Sequence, residues 1–534
     1  MSQADAPGFL GWVERTGNRL PDPVVLFVWL IGALVALSVV ASVVGLSAVH
    51  PSEVDAAGQP KLIEVASLLS GANLTKLWVD MPTTFTHFHP LGYVLVVMLG
   101  AGVAEQTGLF SAAMRAAVKR APVSLLTPVV ALVAMVANHA ADAAYVVLIP
   151  VSAVLFASAG RHPLAGIVTA FAGVSGGFSA NLMPGQLDAL LFGITEAAVK
   201  SSGLHPGWSA NIAGNAYFIQ GMTVTFLPVI WYVTDRIIEP RLGTWTPADA
   251  PEEGAPPLDA QHELNAEERR GLRNALLAML VVVALWVFMT VGPGTPLIDE
   301  GLCPPEKAAV GACSFQTTLG PLYKSLVGAF FLLFLATGYA YGAATGSIRT
   351  HRDLVRMMTH AMSTLSYYLV LSFVAAHFVA MFNWSNLGLI LAVHGADAIR
   401  SSNLPLPILL GLIVGFAAFV NLFIGSASAK WALLAPVLVP MLMLLGVSPE
   451  ATTAAYRVGD SATNIVTPLM VYFPLVLTFA QRWQRDFGLG SLTALMIPYS
   501  VGILIVGLLL TIGWVALELP LGPGAEVSYS LPSP

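Results

Sequence analysis

Residues 421–468, NLFIGSASAKWALLAPVLVPMLMLLGVSPEATTAAYRVGDSATNIVTP, are about as apolar as a membrane span, yet they carry Lys430, Arg457 and Asp460. Small polar residues interrupt the run at 425–428 and again at 459–464, the second time ahead of Pro468. Charge at membrane depth is expensive and marks a functional site. Each polar cluster reads as a helix break.

Working outward, the same arrangement recurs earlier. Residues 141–150, ADAAYVVLIP, align without gaps on residues 427–436, ASAKWALLAP, and Asn181 followed by Pro184 matches Asn464 followed by Pro468 at nearly the same offset. Chance similarity among small apolar residues is the competing explanation. Broken helices in corresponding halves are the sequence mark of a secondary transporter whose site lies at the repeat interface.

Composition supports that class. The chain has 534 residues, 56% hydrophobic and 10% charged, with a mean hydropathy of +0.75, which describes an integral membrane protein. The net charge of -6 is small for this length, and the basic residues cluster in loops, so no nucleic-acid partner is expected. The first apolar run, residues 23–46, is long enough to span and is read as a span rather than a cleaved signal. Cys303 and Cys313 share one polar loop, either paired or as two thiols. The histidines have no metal spacing, and no GxxxxGK[ST] loop or nucleophile elbow occurs, so no cofactor, ATP-driven step or enzyme activity is expected.

Charge parity organises the spans. Residues 1–22 read as an amphipathic segment on the membrane or as a tail. Residues 23–235 form the first half, with a charge-poor segment at about 122–157 bracketed by basic residues on both sides. It must enter and leave on one face, so it is a re-entrant hairpin with its tip near Asn138 and Asp142. A span at about 91–114 precedes it, and a broken helix at 163–199 follows. Residues 236–271 are a solvated linker, and residues 272–518 form the second half, with a span at about 359–388 and a polar connection through Asp397 and Arg400. Its hairpin is at about 404–447 and its broken helix at 450–480; residues 519–534 are a tail. The fold class is therefore an all-α integral membrane protein. It has nine transmembrane helices and two oppositely oriented re-entrant hairpins in inverted repeats, amino end in the cytoplasm and carboxyl end outside.

The residues able to carry chemistry follow from the breaks. Asn138 and Asn181 in the first half, and Asn421 and Asn464 in the second, offer oxygens beside unsatisfied backbone, which suits a dehydrated cation or an anionic group at a positive helix end; interhelical hydrogen bonding is the plainer role. Asp142 and Asp460 can ligate a cation or carry a proton. A sodium site at Asn421, Asp460 and Asn464 is one expectation, and coupling to H+, Na+ or both stays open. Arg457 and Asp460 are i, i+3 and could pair with each other, or Arg457 could meet a substrate carboxylate. Trp431, beside Lys430, could stack on an aromatic substrate or simply pack.

At these residues the sequence resembles the AbgT family of aminobenzoyl-glutamate and antimetabolite transporters over nearly its whole length. The matching stretches include GNRLPDP at Gly17, NHAADAAYVVLIP at Asn138, AGVSGGFSANL at Ala172, GSASAKWALLAPVLVPMLMLLGVSP at Gly425 and YRVGDSATNIVTPLM at Tyr456. The resemblance implies a homodimer in the bacterial inner membrane, each protomer with its own path. It also implies transport roles for Asp188, Asn421, Ser428, Trp431, Pro449, Arg457, Asp460 and Pro468, and uptake of p-aminobenzoyl-glutamate or export of sulfonamides. Residues 183–187, MPGQL, depart from the Gly-Thr-Ile-like approach expected before Asp188. A dicarboxylate carrier of the wider superfamily is the alternative transporter; an ion channel and a membrane-embedded hydrolase are the competitors from other classes.

Overall fold

The computed structural model describes residues 22–54, 59–119, 122–140, 144–205, 207–245, 264–291, 295–302, 318–467, 470 and 472–530. Asp142, Pro468, Cys303, Cys313 and the first 21 residues lie outside that set.

Helix α1 (Pro23–Val44) begins where the Asp22 side chain accepts the Val24 N–H at 2.8 Å and ends at Gly45, whose φ of 74° closes the last turn. Beyond it, prolines at 51 and 60 bar a helix, and β1 (Ser47–Val54) pairs antiparallel with β2 (Pro60–Glu64), Ser47 opposite Glu64. This two-stranded sheet departs from the all-α expectation. Short α2 (Gly71–Val79) and α3 (Met81–Thr86) precede α4 (His89–Gln106) and α5 (Leu109–Lys119). These last two were expected as one span and instead bend by 66°, where Gly108 adopts φ of +85°.

The rest of the first half is α6 (Leu126–Val136), α7 (Ile149–Ser158), α8 (Pro163–Phe171), α9 (Gln186–Ser202), α10 (Ala216–Tyr232) and the one-turn α11 (Glu239–Leu242). The second half is α12 (Ala266–Thr290), α13 (Gly320–Thr345), α14 (His351–Thr364), α15 (Ser366–Trp384), α16 (Leu387–Ser401), α17 (Leu406–Asn421), α18 (Ala427–Met443), α19 (Pro449–Thr463), α20 (Phe473–Gln481) and α21 (Leu489–Ala516). Where a polar connection was expected around Asp397 and Arg400, the chain is helical: α16 places the two residues one turn apart and pairs them at 2.8 Å.

Among the described residues six helices are long and apolar enough to cross a membrane, seven if the bent α4–α5 pair is one span. Five further apolar helices, among them α17 and α18, are only 10–17 residues long. A straight span needs about 20 residues, so each of these pieces is shorter than one full crossing. On α12, Leu276, Leu280, Val281 and Phe288 point outward, as on a surface that meets lipid.

The halves interlock through α9, which packs on α18 and α19, and through α10, which packs on α21. In the second half α17 lies against α19 so closely that a Cβ on Gly459 would collide with the Val414 carbonyl oxygen. Gly459→Val is expected to destabilise the protein by about 3 kcal/mol, since backbone cannot yield as a side chain can. Thermal unfolding in detergent checks this; an unchanged midpoint would contradict the packing.

Residues 517–530 strap the ends of both halves. Leu521 O accepts the N–H groups of Tyr217 and Phe218 at 2.9 and 3.0 Å, Val527 O accepts that of Ser448 at 2.9 Å, and the Tyr529 hydroxyl meets His205 Nδ1 at 2.7 Å. Burial holds the His205 imidazole below its ordinary range. The folded chain therefore takes up this proton less readily than the unfolded chain, and the stability it lends is lost as pH falls below about 6.5. Amide exchange at Tyr529, corrected for its intrinsic rate, should quicken between pH 7.5 and 5.5 in the wild type and not in His205→Gln.

Candidate functional site

Helix α17 ends at Asn421, and α18 starts at Ala427, with Ser426 Oγ accepting the Ala429 N–H as its cap. One turn into α18, Lys430 points into protein rather than lipid and is fully buried. Its ammonium donates to Asn421 Oδ1 and to Asp460 Oδ1. Asn421 in turn donates through Nδ2 to Asp460 O at 2.6 Å, Thr463 Oγ1 at 2.9 Å and Asn464 Oδ1 at 2.9 Å. The set expected to hold sodium, Asn421, Asp460 and Asn464, is thus gathered around a tethered cation. Lys430 was visible as the sole charge in its hairpin, and a lone charge at depth demands a counter-charge.

Arg457 does not pair with Asp460 as the i, i+3 spacing allowed. Asp460 is taken by Lys430, and Arg457 Nη1 donates to Asp188 Oδ1 at 2.6 Å, joining second half to first. Both residues are under 5% exposed, so the ion pair is dry. Asp188 stands in the first turn of α9, where helix N–H groups favour an anion, and its Oδ2 accepts the Gly185 N–H at 2.7 Å. Arg457 Nε has no partner among the described residues.

Trp431 is wholly buried. Its ring stacks on Tyr456 with centroids 4.4 Å apart, its Nε1 donates to Thr195 Oγ1 at 2.9 Å and Leu191 O at 3.2 Å, and Tyr456 Oη donates to Ala427 O at 2.7 Å. Packing, one of the two roles the sequence offered, is what this geometry holds. Tyr456, Thr195 and Thr453, whose hydroxyl lies 3.0 Å from that of Thr195, went unnoticed in the sequence because small hydroxyls and a tyrosine in an apolar run give no signal.

In the first half a comparable tie joins residues 135–138 to residues 177–181, and among the described residues it runs through amides and carbonyls. Asn138 Nδ2 donates to Met135 O at 3.0 Å and Gly177 O at 3.4 Å, and Asn181 Nδ2 donates to Met135 O at 3.4 Å. By the repeat offset, Met135 and Gly177 stand where Asn421 and Asp460 stand in the second half. Between the halves lies a cavity of about 300 Å³. Asn138, Phe178 and Gln186 line it from the first half, and Gly425, Asn464 and Tyr472 from the second. Tyr145 and Tyr472 stack across the seam at 4.2 Å.

Not every candidate converges here. Ser428 lies apart from the cavity, against Phe88 and Tyr368, with its hydroxyl 3.2 Å from that of Ser426. Pro449 opens α19, eleven residues before Asp460 and so about 16 Å away along the axis.

The family model of AbgT transporters matches residues 8–529. This chain belongs to the AbgT family. It is 36% identical over 525 residues to the p-aminobenzoyl-glutamate transport protein of Escherichia coli strain K12, covering 98% of this chain and 97% of that one. Its structure resembles the YdaH transporter of Alcanivorax borkumensis, reported to have an unusual topology, with a TM-score of 0.83 at 40% identity over 94% of this chain and all of that one. It also resembles MtrF of Neisseria gonorrhoeae, placed in a class of antimetabolite efflux pumps, with a TM-score of 0.87 at 41% identity over 97% of this chain and all of that one. Like the rest of the AbgT family, the chain is a multi-pass membrane transporter of small molecules and not an enzyme.

Proposed function

We propose that this protein is an ion-coupled secondary transporter of p-aminobenzoyl-glutamate-like folate catabolites and sulfonamide antimetabolites. The observation that carries the reading is the cavity between the halves, walled by aromatic rings and amides, beside two buried ion pairs. Its volume falls at the lower end of small-molecule sites, and a p-aminobenzoyl-glutamate transport protein and an antimetabolite efflux pump among the relatives support the same substrate class.

In this reading each protomer of an inner-membrane homodimer has nine spans and two hairpins, with its amino end cytoplasmic and its carboxyl end periplasmic. Coupling acts on the Lys430–Asp460 pair. A proton on Asp460, or a sodium ion taken by Asn421, Asp460 and Asn464, would displace the ammonium and free the α17–α18 hairpin from α19. The uncharged tie at Asn138 and Asn181 is the counterpart in the first half, with Asp142 as a further candidate for the coupling ion. Access to the cavity then alternates as the hairpins and broken helices move against the frame.

The test is flux of labelled p-aminobenzoyl-glutamate and of a labelled sulfonamide in proteoliposomes, with pH and sodium gradients imposed separately and a dicarboxylate as competitor. Saturable flux that follows one gradient supports the reading and names the ion. Flux indifferent to both gradients removes the coupling, and flux abolished by the dicarboxylate favours the rival carrier.

A further inference from the structure

Gln186 opens α9 on the cavity wall, within the short stretch before Asp188 that departs from the family pattern. Its Nε2 reaches Asn138 O only at 3.5 Å, the limit of a hydrogen bond, and its Oε1 is buried with no partner among the described residues. A buried acceptor without a donor is costly, so native structures place one where a donor arrives. Two other amides line the cavity: Asn464 Oδ1 is already taken by Asn421, and Asn138 Nδ2 is turned to Met135 O and Gly177 O. Apart from Asn138, the wall around Gln186 is apolar, with Val94, Met98, Leu187 and Leu190, and aromatic at Phe178 and Tyr145. A group that satisfies this corner must bring an N–H on a flat apolar body.

We propose that Gln186 is a specificity-determining residue whose Oε1 accepts the N–H of an arylamine, with the ring of the ligand held against Phe178 and the Tyr145–Tyr472 stack. The proposal rests on the substrate reading above and narrows it: the amine end of the ligand faces the first half, and acyl or sulfonyl substituents extend toward the second. A site built around a hydrogen-bond acceptor discriminates strongly against an analogue that lacks the donor, because the acceptor is then left unpaired.

The experiment compares initial uptake of p-aminobenzoyl-glutamate with that of benzoyl-glutamate, which lacks only the amine, in proteoliposomes of wild type, Gln186→Leu and Gln186→Glu. The readout is the ratio of the two kcat/KM values within one preparation, so a smaller folded fraction cancels. Wild type should favour the amine by about tenfold. Gln186→Leu should bring the ratio to within about twofold of one, chiefly through KM of the amine, and Gln186→Glu, which keeps an acceptor, should retain the preference. A wild-type ratio near one, or one unchanged in Gln186→Leu, overturns the role of Gln186 and leaves the substrate reading standing. Wild type that moves neither compound overturns the substrate reading and this proposal together.

Discussion

Asp460→Asn should abolish gradient-driven flux and destabilise the protein by about 3 kcal/mol. The change is isosteric, so packing is kept and only the charge goes. Lys430 is then an ammonium in a dry site with only neutral amide oxygens as acceptors. Breaking a buried pair by removing one partner typically costs about 3–5 kcal/mol, because the other charge is left uncompensated. Adding Lys430→Met removes that stranded charge, and the double variant should regain most of the thermal stability while flux stays absent. Stability that returns without transport would mean that the pair serves coupling rather than the fold. A single variant with wild-type flux would remove Asp460 from the mechanism.

The second large effect is expected at the pair that joins the halves. Asp188→Asn leaves Arg457 buried with no counter-charge, and a loss of about 3 kcal/mol together with at least tenfold in flux is expected. Arg457→Lys keeps the charge and a donor but loses the planar fork, so it should fall between wild type and Arg457→Gln. Exchanging the two, Asp188→Arg with Arg457→Asp, should not restore the protein. It would set a cation in the first turn of α9, where the helix favours an anion, and orphan the Gly185 N–H. Recovery of both folding and flux in the exchanged variant would show that only the attraction matters and not its placement.

Much of this site could be read from the sequence, and the limit lies at partner choice. Asn421 and Asn464 stood out through the repeat and Asp460 as a charge at a helix break, and the three meet in space. Which charge answers which could not be read, because the i, i+3 spacing of Arg457 and Asp460 is a local option that competes with partners far along the chain. Asp188 wins Arg457 from 269 residues away, a contact decided by which face of α19 turns toward α9. Gln186 was seen only as a departure from a pattern; its unpaired oxygen emerges once α9 is set on the cavity wall. The bend at Gly108 was hidden by hydropathy, which reads a continuous apolar run across a left-handed glycine.

The pair formed by Asp188 and Arg457 also bears on how such a chain is made. During synthesis the first half emerges with a carboxylate on α9 whose salt-bridge partner among the described residues, Arg457, has not yet been translated. Until α19 arrives, Asp188 must stay hydrated or wait at the bilayer surface. The ion pair can therefore close only when both halves are inserted and turned toward each other.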